Sequence, residues 1–217
     1  MVKPITTLLF DFDGTLLDTN ELIIGSFQHV LNGRFPGKFT REDILHFLGP
    51  PLIDSFNTID PENAEAMVTE YREWNHLMHD ELAREFDGVS ESLKQLKTLG
   101  LKMAIVSTKR NETIMRGLRL LDAEGIFDVI VGLDDVTRPK PDPEPILLAL
   151  SKVGSTIEEA LMIGDNSHDI EGGKNAGVRT AGVSWSIKGE AFLQSLNPDY
   201  MLQHLSDLQD IVQGEQA

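Results

Sequence analysis

The sequence predicts an α/β fold: an open, doubly wound parallel sheet interrupted early by a small helical domain. Two observations carry this expectation. Short apolar, β-branched runs recur along the chain with helical patterns between them, the signature of βα units stacked into one sheet. That alternation is missing between Leu16 and Glu85, where only helix-like periodicity is found. A chain of 217 residues is long enough for one domain carrying a smaller insert, with a sizeable core.

The elements follow in order. Ile5 to Phe10 is a compact apolar run cut off by Asp11-Phe12-Asp13-Gly14, and it reads as a strand buried on both faces. Leu101 to Val106, Val129 to Val131, Ala160 to Ile163 and Val178 to Val183 read as four more such strands. Between them, Ser90 to Leu99 repeats leucine at three-residue spacing and stops at Gly100. Ile146 to Val153 begins after Pro145 and ends at Gly154, and Ile170 to Ala176 ends at Gly177 with Asp169 as its expected N-cap. In the insert, Thr40-Arg41-Glu42-Asp43 resembles a capping box, and Ala64 to Ala83 reads as one long helix. The expected division is residues 1–15 and 86–217 for the core and 16–85 for the insert. The polar tail beyond Val212 is expected to fray.

Composition narrows the function. The chain carries 19 basic and 35 acidic residues, a net charge of −16, and the insert holds half of that excess. Nucleic-acid binding is disfavoured because its affinity comes from basic patches on phosphates, and anionic membrane surfaces are disfavoured for the same reason. No apolar run approaches the roughly 20 residues that span a bilayer, and Met1 to Phe10 does not read as a signal peptide. There is no cysteine, which excludes disulfides and thiolate chemistry. A cytoplasmic protein is expected, with no obligate protein partner inferred.

Four motifs at predicted strand ends or loops carry the chemistry. Asp11-Phe12-Asp13-Gly14-Thr15 puts two carboxylates at the carboxyl end of the first strand, where open α/β sheets bind ligands. Asp and Gly also make plain turns, but an EF-hand fails, since Leu16 and Leu22 stand where Gly and Glu belong. Ser107-Thr108-Lys109 offers a hydroxyl and turn amides to a phosphate oxygen. In Arg138-Pro139-Lys140-Pro141, prolines on both sides hold Lys140 in a stiff loop. Gly164-Asp165-Asn166-Ser167-His168-Asp169 adds two more acids, and the four aspartates together form a hard-oxygen set suited to Mg²⁺. Within the insert, Gly49-Pro50-Pro51-Leu52 is either a cleft-facing loop or an interhelix turn. His76 and His79 share a helix face that reads as a solvated polar face or a contact with the core, not a zinc site.

In this order the four motifs resemble the haloacid dehalogenase superfamily of phosphohydrolases, with its Rossmann-like core, and the insert resembles that superfamily's C1-type cap. The resemblance implies Asp11 as nucleophile, Asp13 as general acid and base, and Ser107 and Lys140 as further catalytic groups. It implies Thr108, Lys109, Gly14 and Thr15 on the substrate, and Mg²⁺ on Asp11, Asp13, Asp165 and Asp169. The acid at position 13 favours phosphate ester or anhydride hydrolysis over dehalogenation, because a halide needs no proton to leave. Arg41-Glu42-Asp43, Gly49-Pro50-Pro51-Leu52, Asn75-His76, Met78-His79-Asp80 and Leu133-Asp134-Asp135-Val136-Thr137 are further similar to the PpaX-type pyrophosphatases of Gram-positive bacteria. That likeness implies hydrolysis of inorganic pyrophosphate to two phosphates. Phosphoglycolate phosphatase is the alternative, followed by a sugar-phosphate mutase and a binding module on a retired scaffold. The complete catalytic set argues against the last.

Overall fold

In a computed structural model, residues 3–214 are described, so the end of the polar tail lies outside them. The chain divides into two compact units, residues 1–17 with 85–217 and residues 18–84.

The larger unit is built on a six-stranded sheet. Its strands are β1 (Thr7–Phe10), β4 (Lys102–Val106), β5 (Val129–Val131), β6 (Ala160–Gly164), β7 (Arg179–Val183) and β8 (Tyr200–Leu202); β2 (Leu17–Asp18) and β3 (Arg84–Glu85) are two-residue strands where the chain passes between units. The order is β5-β4-β1-β6-β7-β8, and all five pairings are parallel. This is a Rossmann-like α/β core. From β1 the chain builds outward to β5 on one side, then returns to build β6 to β8 on the other. The direction of winding therefore switches beside β1, where ligands bind in such sheets.

Alternation of side chains divides the core into two faces. Leu9, Ala104, Val106 and Met162 pack with Ile146, Ala149 and Leu150 of α7 (Glu144–Val153) and Ala176 of α8 (Ser167–Ala176). Leu8, Phe10, Met103, Ile105, Leu161 and Ile163 are equally buried and point the other way. The remaining helices of this unit are α5 (Val89–Thr98), α6 (Asn111–Leu120), α9 (Glu190–Ser195) and α10 (Asp207–Gly214). Gly154 and Gly177 end α7 and α8 in the left-handed conformation expected of them. Two helix starts differ from the sequence reading. Helix α7 begins at Glu144, one turn position before Pro145. Helix α8 begins at Ser167, because Asn166 is its N-cap and Asp169 stands at N3, completing a reciprocal capping box.

The smaller unit is wholly helical among its regular elements beyond the short strands: α1 (Asn20–Arg34), α2 (Arg41–Leu45), α3 (Leu52–Ile59) and α4 (Ala64–Leu82). The capping box on Thr40 and Asp43 forms as the sequence indicates. Phe27 lies 5.5 Å, 5.2 Å and 5.0 Å from the rings of Phe47, Phe56 and Tyr71, an aromatic centre for the four helices. The reading of a solvated polar face on α4 holds for His76, which is exposed, and is corrected for Asn75 and His79. Asn75 is buried and donates to Ser26 Oγ at 3.0 Å, and His79 is fully buried with Nδ1 2.8 Å from Asp80 Oδ1. Asn75 is tolerated there because it finds its partner across the pair of α1 and α4.

Helix α6 passes directly over the loop that follows β1. A β-carbon on Gly117 would lie 2.6 Å from the Phe12 ring and 2.9 Å from Leu17 Cδ2. Gly117→Ala is therefore expected to destabilise by about 1–3 kcal/mol through overpacking. Helix propensity alone would make the same change favourable by about 1 kcal/mol. The sign of the shift in a thermal melt decides between the two.

Candidate active site

Loops after β1, β4 and β6, and the proline-flanked loop before α7, deliver the side chains. Asp11 follows β1 directly, and its backbone N–H donates to the Ile163 carbonyl at 2.9 Å. Asp13 comes two residues later, with Phe12 fully buried between them as an anchor. Gly14 has φ +74°, and a β-carbon there would lie 2.7 Å from Asp165 Cγ. Backbone conformation and crowding both require glycine at this point. Thr15 is fully buried. Its carbonyl accepts from Trp185 Nε1 at 3.2 Å, and its hydroxyl is buried with no hydrogen-bond partner.

Lys140 joins the loops. Its ammonium donates to Asp11 Oδ1 at 2.9 Å, Asp169 Oδ1 at 2.6 Å and the Val106 carbonyl at 2.7 Å. An ammonium has three protons, so all are committed. The lysine side chain is 2% exposed. Burial alone would lower its pKa, but Asp11 and Asp169 outweigh burial and the net shift is upward. The second oxygen of Asp169 accepts the Asn166 N–H at 3.0 Å, so one carboxylate both caps α8 and holds Lys140.

The acids are less comfortable. Burial pushes the Asp11 carboxyl up to about 7, with Lys140 opposing and Asp169 adding to the rise. Burial likewise holds Asp165 well above the ordinary carboxylate range, reinforced by Asp169 and Asp11. One oxygen from each of Asp11, Asp165 and Asp169 lies within 4.8 Å of the other two. Three buried acids face one buried lysine, and every donor in the cluster is a hard oxygen. The set fits a divalent cation that prefers oxygen, and such a cation would relieve the crowding of like charge.

On the β4 side, Ser107 N–H donates to the Val131 carbonyl at 3.0 Å, and Ser107 Oγ accepts the Lys109 N–H at 3.3 Å. Thr108 is half-buried on the same turn. Lys109 Nζ lies 2.5 Å from Asp13 Oδ1, which ties the β4 turn to the β1 loop. Arg110 faces Asp134 at 3.7 Å. The structure thus brings together Asp11, Lys140, Asp165 and Asp169, pairs Asp13 with Lys109, and sends the Thr15 side chain into the interior.

The sequence reading missed the loop after β7. Ser186 Oγ donates to the Asp165 carbonyl at 2.7 Å, and Lys188 Nζ donates to Asn166 Oδ1 at 3.2 Å. Burial lowers the Lys188 pKa against the pull of Asp165 and Asp169. The available signal was positional: Trp185-Ser186-Ile187-Lys188 follows another predicted strand end.

Taken singly, none of these loops is distinctive; their succession along a parallel sheet is. The model of the haloacid dehalogenase-like hydrolases matches residues 8–183, and the chain belongs to that family. Among its relatives, the pyrophosphatase PpaX of Bacillus velezensis is 52% identical over 206 residues, covering 95% of both chains. The protein of the same name from Bacillus pumilus is 53% identical over 210 residues, covering 97% of both. A crystal structure of a haloacid dehalogenase-like hydrolase from Bacteroides fragilis superposes with a TM-score of 0.88 at 32% identity, over 94% of this chain and 99% of that one. No helix among the described residues is long and apolar enough to cross a membrane.

The raised Asp11 carboxyl has a measurable consequence. Folded Asp11 holds its proton up to about pH 7, against an ordinary 3.8 when unfolded. The stability it confers on the metal-free protein is therefore complete below the unfolded value and lost as pH rises toward 7. A bound cation reverses that loss and must displace the proton at lower pH. The rise in Tm on adding MgCl2 or MnCl2 is expected to be larger at about pH 8 than at about pH 5. An equal or smaller rise at the higher pH counts against cation binding by these acids.

Proposed function

We propose that the protein is a Mg²⁺-dependent phosphohydrolase that cleaves inorganic pyrophosphate into two phosphates through an aspartyl-phosphate on Asp11. The observation that carries the chemistry is the Lys140 ammonium between Asp11 and Asp169, with the Asp13 carboxylate two residues from the nucleophile. The choice of pyrophosphate is supported by relatives called pyrophosphatase PpaX that match over nearly their whole length.

In this reading an Asp11 carboxylate oxygen attacks one phosphorus, and the bridging P–O bond breaks. The departing phosphate takes a proton from Asp13. Water then attacks the aspartyl-phosphate while Asp13 takes its proton, releasing the second phosphate and restoring Asp11. Lys140 holds Asp11 in place and offsets charge on the reacting oxygens. Ser107, the Thr108 amide and the Gly14 turn line the space for the transferring group. Mg²⁺, held by the Asp11, Asp165 and Asp169 carboxylates and the Asp13 carbonyl, would supply the positive charge that lets an anionic nucleophile meet an anionic substrate. Residues 18–84 act as the cap that selects the substrate.

Two measurements test this. In a phosphate-release panel with MgCl2, pyrophosphate is expected to exceed phosphoglycolate and sugar phosphates by at least about tenfold in kcat/KM. Phosphoglycolate in the lead would reassign the substrate. Asp11→Asn is expected to abolish turnover while the protein stays folded, since the amide keeps the volume and Lys140 keeps Asp169. Phosphate release at the wild-type rate from that variant would remove Asp11 as nucleophile.

A further inference from the structure

The sequence places Lys109 beside Ser107, where a cation for the substrate is expected. The structure gives its ammonium another partner. Lys109 Nζ lies 2.5 Å from Asp13 Oδ1, and the two side chains are only 13% and 20% exposed. An ion pair in free solvent adds little, but this one is largely shielded and closes a span of 96 residues between loops after different strands.

The lysine does not reach Asp13 by wandering. Its N–H donates to Ser107 Oγ at 3.3 Å, and its carbonyl accepts the Leu133 N–H at 2.9 Å. The stem therefore leaves from a backbone held on both sides. Asp13 is the opposite case. Its backbone is held by the buried Phe12 and by the Gly14 N–H on the Leu17 carbonyl at 2.8 Å, and two side-chain torsions set where its carboxylate lies. Proton transfer needs that carboxylate within hydrogen-bond reach of the departing oxygen in one step and of water in the next.

We propose that Lys109 is a positioning residue that holds the Asp13 carboxylate in place for proton transfer, and is not itself a ligand of the substrate. This rests on the reading of Asp13 as the acid and base. It also predicts a different kinetic signature from substrate binding. Loss of a substrate ligand raises KM, whereas loss of an orienting group lowers kcat with KM nearly unchanged.

The test is steady-state phosphate release by wild type, Lys109→Met, Lys109→Arg and Asp13→Asn. All four are measured on pyrophosphate and on 4-nitrophenyl phosphate with MgCl2. Lys109→Met is expected to lower kcat by about 10–100-fold, part of the 10²–10⁴ that a positioned acid–base group supplies, with KM within about threefold. Lys109→Arg, which keeps the charge and reach, is expected to recover most of kcat. The cation-induced rise in Tm is expected to persist in Lys109→Met, showing a folded core with its acid cluster intact. A KM raised tenfold or more at unchanged kcat, or no rescue by arginine, overturns the proposal. A loss in Asp13→Asn without one in Lys109→Met overturns it while leaving the role of Asp13 standing. Full activity in Asp13→Asn overturns both. Because Asp13 serves either substrate, failure of pyrophosphate alone removes the substrate assignment and leaves the Lys109 comparison readable on the ester.

Discussion

The Lys140 ammonium sits between Asp11 and Asp169 with every proton assigned, and both acids are buried with it. Charges taken out of water cost several kcal/mol each unless their partners are well placed, and a well-packed apolar trio is often as stable or more so. The cluster is therefore not there for stability. It obliges the surrounding chain to hold loops from separate strands to within a hydrogen bond of one another. The parallel sheet does this by bringing the carboxyl ends of β1, β4 and β6 to one edge. Gly14 lets the first loop close onto Asp165, and the α8 capping box fixes Asp169 from behind.

Net charge and local charge part company here. The chain carries −16 overall, yet the acids at the sheet edge stand among three lysines from three different loops: Lys109 on Asp13, Lys140 on Asp11 and Asp169, and Lys188 on the N-cap of α8. With a divalent cation added, the local sum turns positive. An acidic protein can in this way hold an anionic substrate without attracting polyanions over long range.

Much of this was legible in the sequence, for physical reasons. Apolar runs ended by Asp or Ser announce strands and their carboxyl ends, and glycine after a leucine-spaced segment announces a helix stop; both depend on neighbouring residues. Where the reading failed, the deciding contact was distant or a better local competitor was present. Tyr200–Leu202 is too short a run to stand out as a strand. Asp169 lost the N-cap to Asn166, because an N3 carboxylate completes the box. Asn75 looks like a solvent-facing group until α1 supplies Ser26. Nothing near Lys109 marks Asp13 as its partner.

The shared ammonium also limits how this site could decay in a lineage that no longer needed it. Losing Lys140 first would strand two carboxylates against each other in the interior, and losing Asp169 first would break the capping box of α8 and leave the lysine with one acid. Asp11 is the residue that can drift alone, since asparagine fills its place and leaves the other pair intact. A silent descendant should accordingly keep a lysine and an aspartate that look functional and lack only the first acid. One that has lost the lysine should have lost the acid on α8 with it.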